Sequence, residues 1–388
     1  MYISKKFREM PFGGLYEIFG KANKIEATGK KLIHMEMGRP DFVSPDIAIE
    51  AVKESLHRGE VHYTEMEGVP PLRKAIAEKE ERRHGLKYSP EDEIVVTSGA
   101  CEALASVFLS FLDPGDEVIV FGPYFSAYYE QSLLFNFNLI ELELKMDDQW
   151  KLDINQLKEL ITPKTKMILI NSPNNPAGYI LKDEELEMLA NIAKEHDLLV
   201  VSDECYDEFS YIGDLKSIAT IEGMRERTLV VKSTSKSFSM TGWRIGYVLA
   251  PAEFCKYISK AHQNMSTCST SFAQYGAVKA FQEGDAFIDH MVSTFEERGN
   301  YFYEKLSNIE GLEILKPQGA FYFFPKITNY GKSEFEIIDI LLEEAGVVGV
   351  PGTFFGKSGE GHIRLAYCRS MEELEEAATN MKRVLESL

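Results

Sequence analysis

The sequence of 388 residues predicts an α/β protein built on a large, mostly parallel sheet. From about Glu93 onward, short runs of apolar and β-branched residues alternate with longer amphipathic segments, which is typical of strands and the helices that cover them. The apolar runs are continuous rather than alternating, and Gly, Pro, Ser and Asn bound them. Such runs indicate strands that are buried on both faces of a parallel sheet.

The elements follow in order through the middle of the chain. Six runs are predicted to be strands: EIVVT, DEVIVF, KMILIN, LLVVSD, TLVVKS and RIGYVLAP. Between the third and fourth runs, Glu184–Lys194 is predicted to be a covering helix, because its apolar residues recur with i, i+3 and i+4 spacing. Those residues are Leu186, Leu189, Ala190 and Ala193.

The two ends of the chain have a different pattern. Before about Gly38 and after about Ser271, longer helices are mixed with isolated strands such as AFYFFPKI, VVGVPG and GHIRLAY. We therefore expect a large domain of residues 39–271 and a smaller α+β domain built from residues 1–38 and 272–388. The charge run EKEERRH, Glu78–His84, is expected to be the solvated face of a helix.

The composition argues against several classes of partner. A formal net charge of −19 would be repelled by nucleic acid and by anionic membranes. The N-terminal MYISKKFREMPF lacks the apolar core of a signal peptide, and no stretch approaches the roughly 20 apolar residues of a membrane helix. The five cysteines form no CxxC pair and the histidines are few. We expect a cytoplasmic protein with reduced thiols and no metal centre.

Polar residues follow several of the predicted strands, and ligands of open α/β sheets bind beyond the carboxyl ends of strands. After IVVT, the small residues Gly99, Ala100 and Cys101 open a helix, whose first N–H groups can bind a phosphate. Turn geometry alone would also explain small residues there. After MILI, Asn175 precedes Pro176 and is biased toward an extended conformation. Its amide can reach a ligand, and a simple turn is the alternative.

Two further strand ends carry ionisable groups. After LLVV comes Asp203, and an acid at the end of a buried strand needs a cation or a donor as partner. Tyr206 follows three residues later. After TLVV come four more polar residues, Ser233, Ser235, Lys236 and Arg244. A buried lysine beside other cations has a lowered pKa and can form a Schiff base.

Together these groups fit one ligand, pyridoxal 5′-phosphate. Ser233, Ser235 and Arg244 would bind its phosphate by charge-assisted hydrogen bonds. Asp203 would keep the pyridine nitrogen protonated, so that the ring acts as an electron sink. The aromatic Tyr124, after another strand, would stack on the ring.

The motifs NNPAG, SDECY, STSKSFSMTGWRIGY and HIRLAY occur in an order and spacing that resembles the class I/II aminotransferases, which are fold-type I pyridoxal-phosphate enzymes. The resemblance runs from about Leu15 to the C-terminus. It implies a large sheet of the seven-stranded type and an amino-group transfer between an L-amino acid and a 2-oxo acid by a ping-pong mechanism. In that mechanism Lys236 carries the cofactor as an internal aldimine and then moves the Cα proton.

The resemblance also implies a role for each site residue. Asp203 would contact the pyridine nitrogen, and Asn175 and Tyr206 the ring oxygen. The phosphate would be held by Ala100, Cys101, Ser233 and Arg244. Within VHYTEMEGVPPLR, Tyr63 matches a tyrosine that relatives extend into the phosphate site of the neighbouring subunit, which implies a homodimer.

On the substrate side, Arg364 matches the arginine that receives the α-carboxylate, whose geometry suits a guanidinium fork. Gly38 matches a backbone contact to the same carboxylate, and GGLYEIF resembles the segment that closes over the substrate. Cys101 lies near the position where some aspartate-specific members have a lysine, which weakens a preference for acidic side chains. Arg39 stands where relatives often have an acid, and we expect it to be solvated.

Several aromatic residues favour a large or aromatic substrate, although core packing also explains many of them: Tyr16, Phe19, Tyr124, Tyr128 and Phe354.

Three alternatives remain open on the sequence. A β-eliminating C–S lyase or a related lyase uses the same scaffold and lysine. A decarboxylase would use the carboxylate site differently, and the match at Arg364 argues against it. A non-enzymatic regulator with an aminotransferase-like module would have a DNA-binding domain ahead of that module, and the acidic charge argues against DNA binding.

Overall fold

The computed structural model describes residues 2–9 and 15–388. The helices are α1 (Lys5–Glu9), α2 (Leu15–Glu26), α3 (Asp46–His57), α4 (Pro70–His84), α5 (Ala100–Phe111), α6 (Ala127–Phe135), α7 (Ile154–Leu160), α8 (Asp183–Glu195), α9 (Thr234–Ser237), α10 (Ala252–Ser266), α11 (Ser271–Glu283), α12 (Asp285–Leu306), α13 (Glu334–Ile340) and α14 (Met371–Leu385).

The strands are β1 (Ile33–His34), β2 (Ile94–Thr97), β3 (Glu117–Gly122), β4 (Asn138–Glu143), β5 (Thr165–Asn171), β6 (Leu199–Asp203), β7 (Thr228–Ser233), β8 (Gly246–Leu249), β9 (Tyr322–Phe323), β10 (Val347–Val348), β11 (Val350–Pro351) and β12 (Ile363–Ala366). In the part of the chain that the structure describes, no helix is both long and apolar enough to cross a membrane.

Seven strands form the central sheet in the order β2-β8-β7-β6-β5-β3-β4. Strand β8 is antiparallel to its neighbours β2 and β7, and the remaining pairs are parallel. The predicted α/β class and the seven-stranded sheet are confirmed. The strand that the apolar runs did not reveal is β4, which lies at the edge and is only partly buried.

Alternate residues of the central strands enter different layers of the core, which is why these strands read as continuous apolar runs. In β5, Met167 and Leu169 pack in a cluster with α5, α6 and α10. Their neighbours Ile168 and Ile170 pack in a second cluster with α7 and α8. The sheet is therefore covered on both faces.

A smaller unit contains the antiparallel sheet β11-β12-β9 and the parallel pair β1-β10. Its core holds aromatic and aliphatic residues of α12, α14 and these strands. The division between two domains at residue 271 stays a prediction. Helix α11, which begins at Ser271, packs with residues of α3 and α4 against the central sheet.

One expectation about α4 is wrong. The run Glu78–His84 is not a solvated face throughout, because Lys79 is 2% exposed and Glu80 is fully buried. Their charges are neutralised inside the protein: Lys79 pairs with Glu208, and Glu80 pairs with Lys232. Buried charges are tolerated when they have such partners.

The topology brings the chemistry-bearing residues together. Parallel strands end at the same edge of the sheet, so the carboxyl ends of β2, β3, β5, β6 and β7 are neighbours. The antiparallel strand β8 begins at that edge, which places the residues before Gly246 there too. The polar residues that follow these strands therefore surround one region of space.

Candidate active site

A cavity of about 260 Å³ lies beyond this edge of the sheet. Most of the residues predicted from the sequence line it: Gly38, Ala100, Cys101, Asn175, Asp203, Tyr206, Ser233, Ser235, Lys236, Arg244 and Arg364. The cavity has three parts, which are an anion-binding end at α5, a central part around Lys236 and a buried end at Arg364.

At the first end, the start of α5 lies against the start of β8. Gly99 has a φ of +85°, in the left-handed region that favours glycine. A Cβ on Gly246 would lie 2.5 Å from the carbonyl carbon of Gly99 and 2.6 Å from the nitrogen of Ala100. This close approach leaves the N–H groups of Ala100 and Cys101 at the helix start, where they have no intrahelical acceptor.

Arg244 supplies positive charge beside these N–H groups. Its guanidinium lies against Gly99, and it donates to the carbonyl oxygens of Ser98 (3.2 Å) and Thr241 (3.1 Å). The Ser233 hydroxyl caps α9, accepting from the N–H of Ser235. Hydroxyls, helix N–H groups and a guanidinium are the donors that bind a phosphate monoester.

Asp203 ends β6 in the centre of the cavity and is buried. It accepts hydrogen bonds from the Tyr128 hydroxyl (2.6 Å) and from the N–H of Cys205 (3.2 Å). Burial raises the pKa of Asp203, and these two donors oppose the rise. Asp203 has no ion-pair partner among residues 2–9 and 15–388. A protonated ring nitrogen would supply the missing positive charge.

Lys236 lies in the short helix α9 between these two parts. Its amine donates to the carbonyl oxygen of Gly38 and lies 5.8 Å from the ring centres of Tyr206 and Phe321. Burial lowers the pKa of Lys236, and the charge of Arg364 lowers it further. A lysine with a lowered pKa is more often neutral, and a neutral amine is a nucleophile and a base.

Arg364 extends from β12 at the buried end. It donates to the Asn175 side-chain oxygen (3.2 Å) and to the carbonyl oxygen of Glu36. Its Nε–H has no partner among the described residues. The guanidinium Cζ lies close to two aromatic rings, 4.8 Å from the centre of Tyr322 and 4.7 Å from that of Phe355. This cation can receive one carboxylate.

Some predicted residues lie elsewhere. Tyr124 does not line the cavity, because its ring packs against Gly356 and its N–H donates to Phe355. The next residue, Phe125, does line it. Tyr63 is 86% exposed, in the segment between α3 and α4, and is absent from the cavity wall of its own chain.

Other residues that the sequence analysis considered also do not line the cavity. Arg39 is exposed, as expected. Phe354 packs on Phe335, with ring centres 5.8 Å apart. Residues 10–14, which include the start of GGLYEIF, and the side chain of Tyr16 lie outside what the structure describes.

The sequence analysis missed three contributors to the site. Tyr128 was considered only as a pocket aromatic, yet it is the hydrogen-bond donor to Asp203. Phe125 directly follows Tyr124, the residue that the sequence analysis chose to stack on the ring. Tyr322 is 1% exposed and shares a hydrogen bond of 2.7 Å with the Tyr206 hydroxyl. The available signal for Tyr322 was the run AFYFFPKI, which marks a strand but not the direction of each ring.

The residues fit pyridoxal phosphate on two observations, which are the donor-rich end formed by Gly99 and Arg244 and the buried acid Asp203, which has no ionic partner among the described residues. A buried lysine between them, at the carboxyl edge of a mostly parallel sheet, is the arrangement typical of fold-type I pyridoxal-phosphate enzymes.

Comparison with known proteins agrees with this class. The family model "Aminotransferase class I and II" matches residues 30–381. An aspartate aminotransferase of Pyrococcus abyssi is 40% identical over 93% of each chain. Aromatic-amino-acid aminotransferase 2 of Thermococcus litoralis is 35% identical over 99% of this chain and 98% of its own.

Solved structures show the same likeness. The Thermus thermophilus aspartate aminotransferase with maleate has a TM-score of 0.94 and 35% identity, covering 99% of this chain and 100% of its own. The chain belongs to the class I and II aminotransferases. It is a pyridoxal-phosphate-dependent transaminase.

Proposed function

We propose that this enzyme moves the amino group of an L-amino acid to a 2-oxo acid, and that Lys236 is the residue that binds the cofactor covalently. One observation carries the proposal. The Lys236 amine lies in a single cavity with a phosphate-binding end, the buried acid Asp203 and a buried arginine. Bound there, pyridoxal phosphate supplies an aldehyde that condenses with amines and a ring that accepts an electron pair from Cα.

We assign each part of the cavity to a part of the ligand. Ala100, Cys101, Ser233, Ser235 and Arg244 would bind the phosphate. Asp203 would hold a negative charge at the ring nitrogen, and Tyr128 and the N–H of Cys205 keep that carboxylate in place. Asn175 and Tyr206 would bind the ring oxygen. Phe125 replaces Tyr124 as the residue proposed to cover the ring face, because it lines the cavity.

The proton transfer follows from the position of Lys236 and Arg364. Arg364 binds the α-carboxylate of the amino acid, with Asn175 as its neighbour. The neutral Lys236 amine would then accept the proton from Cα at its Nζ and deliver it to the carbon that derives from the cofactor aldehyde. Because burial lowers the pKa of Lys236, more of this amine is neutral at a given pH than for an exposed lysine.

The enzyme is proposed to work as a homodimer in the cytoplasm. The anion-binding end of the cavity is open in the single chain, since Cys101 and Arg244 are exposed. Tyr63 is also exposed and free to enter the corresponding end of a second subunit. The cysteines, all of them free thiols, suit a reducing compartment.

We propose that the substrate does not have a carboxylate side chain that binds at Cys101. A thiol at that position offers an anion no counter-charge. Relatives carry different names, aspartate in one case and aromatic amino acids in another. The amino donor is therefore to be identified by titration of the purified enzyme with single amino acids, without a 2-oxo acid.

The test is the replacement Lys236→Ala. Wild-type protein should lose its yellow absorbance on titration with the correct amino acid and release one 2-oxo acid per site. The variant should lose at least about 10⁴-fold in kcat, because both the covalent bond and the base are removed. The control is Lys256→Ala, at an exposed position on α10, which should behave as wild type. Near-normal turnover of Lys236→Ala would disprove the assignment, and continuous release of ammonia by wild type would identify a lyase.

A further inference from the structure

Tyr322 contacts three parts of the site at once. It lies on β9, is 1% exposed and lines the cavity. Its hydroxyl meets Tyr206, its ring covers Arg364, and its edge lies against Gly38, whose carbonyl oxygen accepts from Lys236.

The hydroxyl contact joins two buried phenols. The two hydroxyls lie 2.7 Å apart, and burial raises the pKa of both phenols, that of Tyr322 to about 12. Their mutual hydrogen bond lowers the pKa of Tyr322 and raises that of Tyr206. Either hydroxyl can be the donor, and the proposed coupling takes Tyr322 as the donor. When Tyr322 donates, Tyr206 keeps its single proton for another acceptor, and hydrogen bonds in series strengthen each other.

The ring contact fixes the guanidinium. The Arg364 Cζ lies 4.8 Å from the ring centre of Tyr322 and 4.7 Å from that of Phe355, both within the range of cation–π attraction. These contacts hold the guanidinium in place, and a carboxylate binds an arginine in the plane of its fork.

The contact with Gly38 is equally close. A Cβ on Gly38 would collide with the Tyr322 hydroxyl and lie 2.5 Å from its Cζ. The backbone that accepts from the Lys236 amine is thus packed directly on Tyr322. A movement of the Tyr322 ring cannot occur without a change at Gly38, Tyr206 or Arg364.

We propose that Tyr322 is a positioning residue that couples the carboxylate site at Arg364 to the Tyr206 hydroxyl at the cofactor ring, while Phe355 completes the clamp on Arg364. This inference rests on the proposed function, since it takes Arg364 as the carboxylate site and Tyr206 as a donor to the ring oxygen. Tyr322 acts through these residues and does not react itself.

Two variants separate the two contacts. Tyr322→Phe keeps the ring over Arg364 and removes the hydroxyl. The pH at which the absorbance of the bound cofactor changes should rise by about one unit, because Tyr206 becomes a weaker donor to the ionised ring oxygen. The kcat should fall about tenfold, while KM for the amino acid changes less than about threefold.

Phe355→Leu keeps apolar volume and removes one ring from Arg364. KM for the amino acid should rise about tenfold, while kcat and the absorbance transition stay at their wild-type values. The matched control is Tyr367→Phe. Tyr367 is a buried tyrosine whose hydroxyl bonds Ala320 (3.1 Å) and Tyr211 (3.3 Å), and it does not line the cavity. This control should lower the thermal midpoint and leave KM and the absorbance transition unchanged.

The outcomes distinguish the inference from the proposed function. If wild type shows no cofactor band or releases no 2-oxo acid, the proposed function fails. If wild type transaminates but Tyr322→Phe has a wild-type absorbance transition, the coupling through the hydroxyl is wrong. If Phe355→Leu leaves KM unchanged, the clamp on Arg364 is wrong. A raised transition in Tyr322→Phe together with a raised KM in Phe355→Leu supports both contacts.

Discussion

At the residue scale, Gly246 shows how closely the backbone is packed at the phosphate-binding end. A Cβ there would lie 2.5 and 2.6 Å from backbone atoms of Gly99 and Ala100, which cannot rotate away. We predict that Gly246→Ala separates the start of β8 from α5 and weakens cofactor binding about tenfold or more, because the N–H groups at the helix start are displaced. The dissociation constant is measurable by titrating apoprotein with pyridoxal phosphate and following absorbance.

Gly242→Ala provides the control for that measurement. Gly242 lies in the loop just before Arg244, and a Cβ there would meet nothing within 4 Å. Its dissociation constant should equal that of wild type. Equal cofactor affinity in both variants would show that the contact between β8 and α5 does not shape the phosphate site.

The same scale shows where sequence reasoning succeeds. Asp203 and Ser233 end buried strands, and the exit of a strand from the sheet fixes where such residues point. Tyr124 and Phe125 follow β3 in an irregular turn, so no period decides which ring faces the cavity. Only the backbone direction, set here by the hydrogen bond from Tyr124 to Phe355, selects Phe125.

At the element scale, a buried ion network joins α4 to the strands that carry the site. The Lys232 amine lies between Glu80 of α4 and Asp207, which it bonds at 2.7 Å. Asp207 also lies 3.1 Å from His84. The ligand atoms of Glu80, His84 and Asp207 are close enough to hold a metal ion. In this structure the ammonium of Lys232 supplies the positive charge beside these carboxylates, where a metal ion would otherwise do so.

The network lies directly behind residues that line the cavity. Lys232 immediately precedes Ser233, and Asp207 immediately follows Tyr206. Helix α4 therefore supports the ends of β6 and β7 through charges in addition to its apolar contacts with the sheet. The sequence could not show this, because a run such as Glu78–His84 has the composition of a solvated face, and its partners come from distant parts of the chain.

The pH dependence of stability follows from Glu80. Burial alone would raise its pKa, but Lys232 and Lys79 outweigh this effect and lower it from 4.5 to about 2. A carboxyl with a lowered folded-state pKa stabilises the fold above its unfolded pKa and loses that effect as pH falls through the folded pKa. We predict that Glu80→Gln lowers the free energy of unfolding by about 3–5 kcal/mol at neutral pH. The difference from wild type should shrink between pH 4.5 and 2.

Denaturant unfolding at a series of pH values measures this difference. Glu81→Gln is the matched control, since Glu81 is the next residue of α4 and its ion pair with Lys87 is exposed. An exposed pair contributes ~0–1 kcal/mol, so this variant should stay close to wild type. A Glu80→Gln deficit that is constant across the pH range would mean that the charge of Glu80 is not what stabilises the network.

At the scale of the whole molecule, the two ends of the cavity differ in exposure. Asp203 and Arg364 are buried, whereas Cys101 and Arg244 are exposed at the phosphate-binding end. A single chain thus covers the substrate side and leaves the anion-binding side open to water, where binding of a charged group is weaker. The fold class was predictable from local patterns, whereas a second chain at this end was implied only by the resemblance of the segment around Tyr63 to known relatives.

We predict that Tyr63 of each subunit closes the open end of the cavity in the partner subunit. A subunit-mixing experiment tests this prediction. Tyr63→Ala alone should lose at least about tenfold in kcat/KM, because a hydrogen bond to a charged phosphate is removed. Lys236→Ala alone should be inactive. The two inactive or impaired chains are unfolded together, refolded as a mixture and assayed for transamination. Each variant refolded alone is the control.

Symmetry decides the outcome. In a mixed dimer with Tyr63 acting across the interface, both defects fall in one site and the other site is complete. Random pairing makes about half of the dimers mixed, so the mixture should recover roughly one quarter of wild-type activity. If Tyr63 acts within its own chain, each site of the mixed dimer carries one defect, and the activity cannot exceed the average of the two controls. The absence of recovery, with mixed dimers verified by mass, would therefore place Tyr63 outside the neighbouring site.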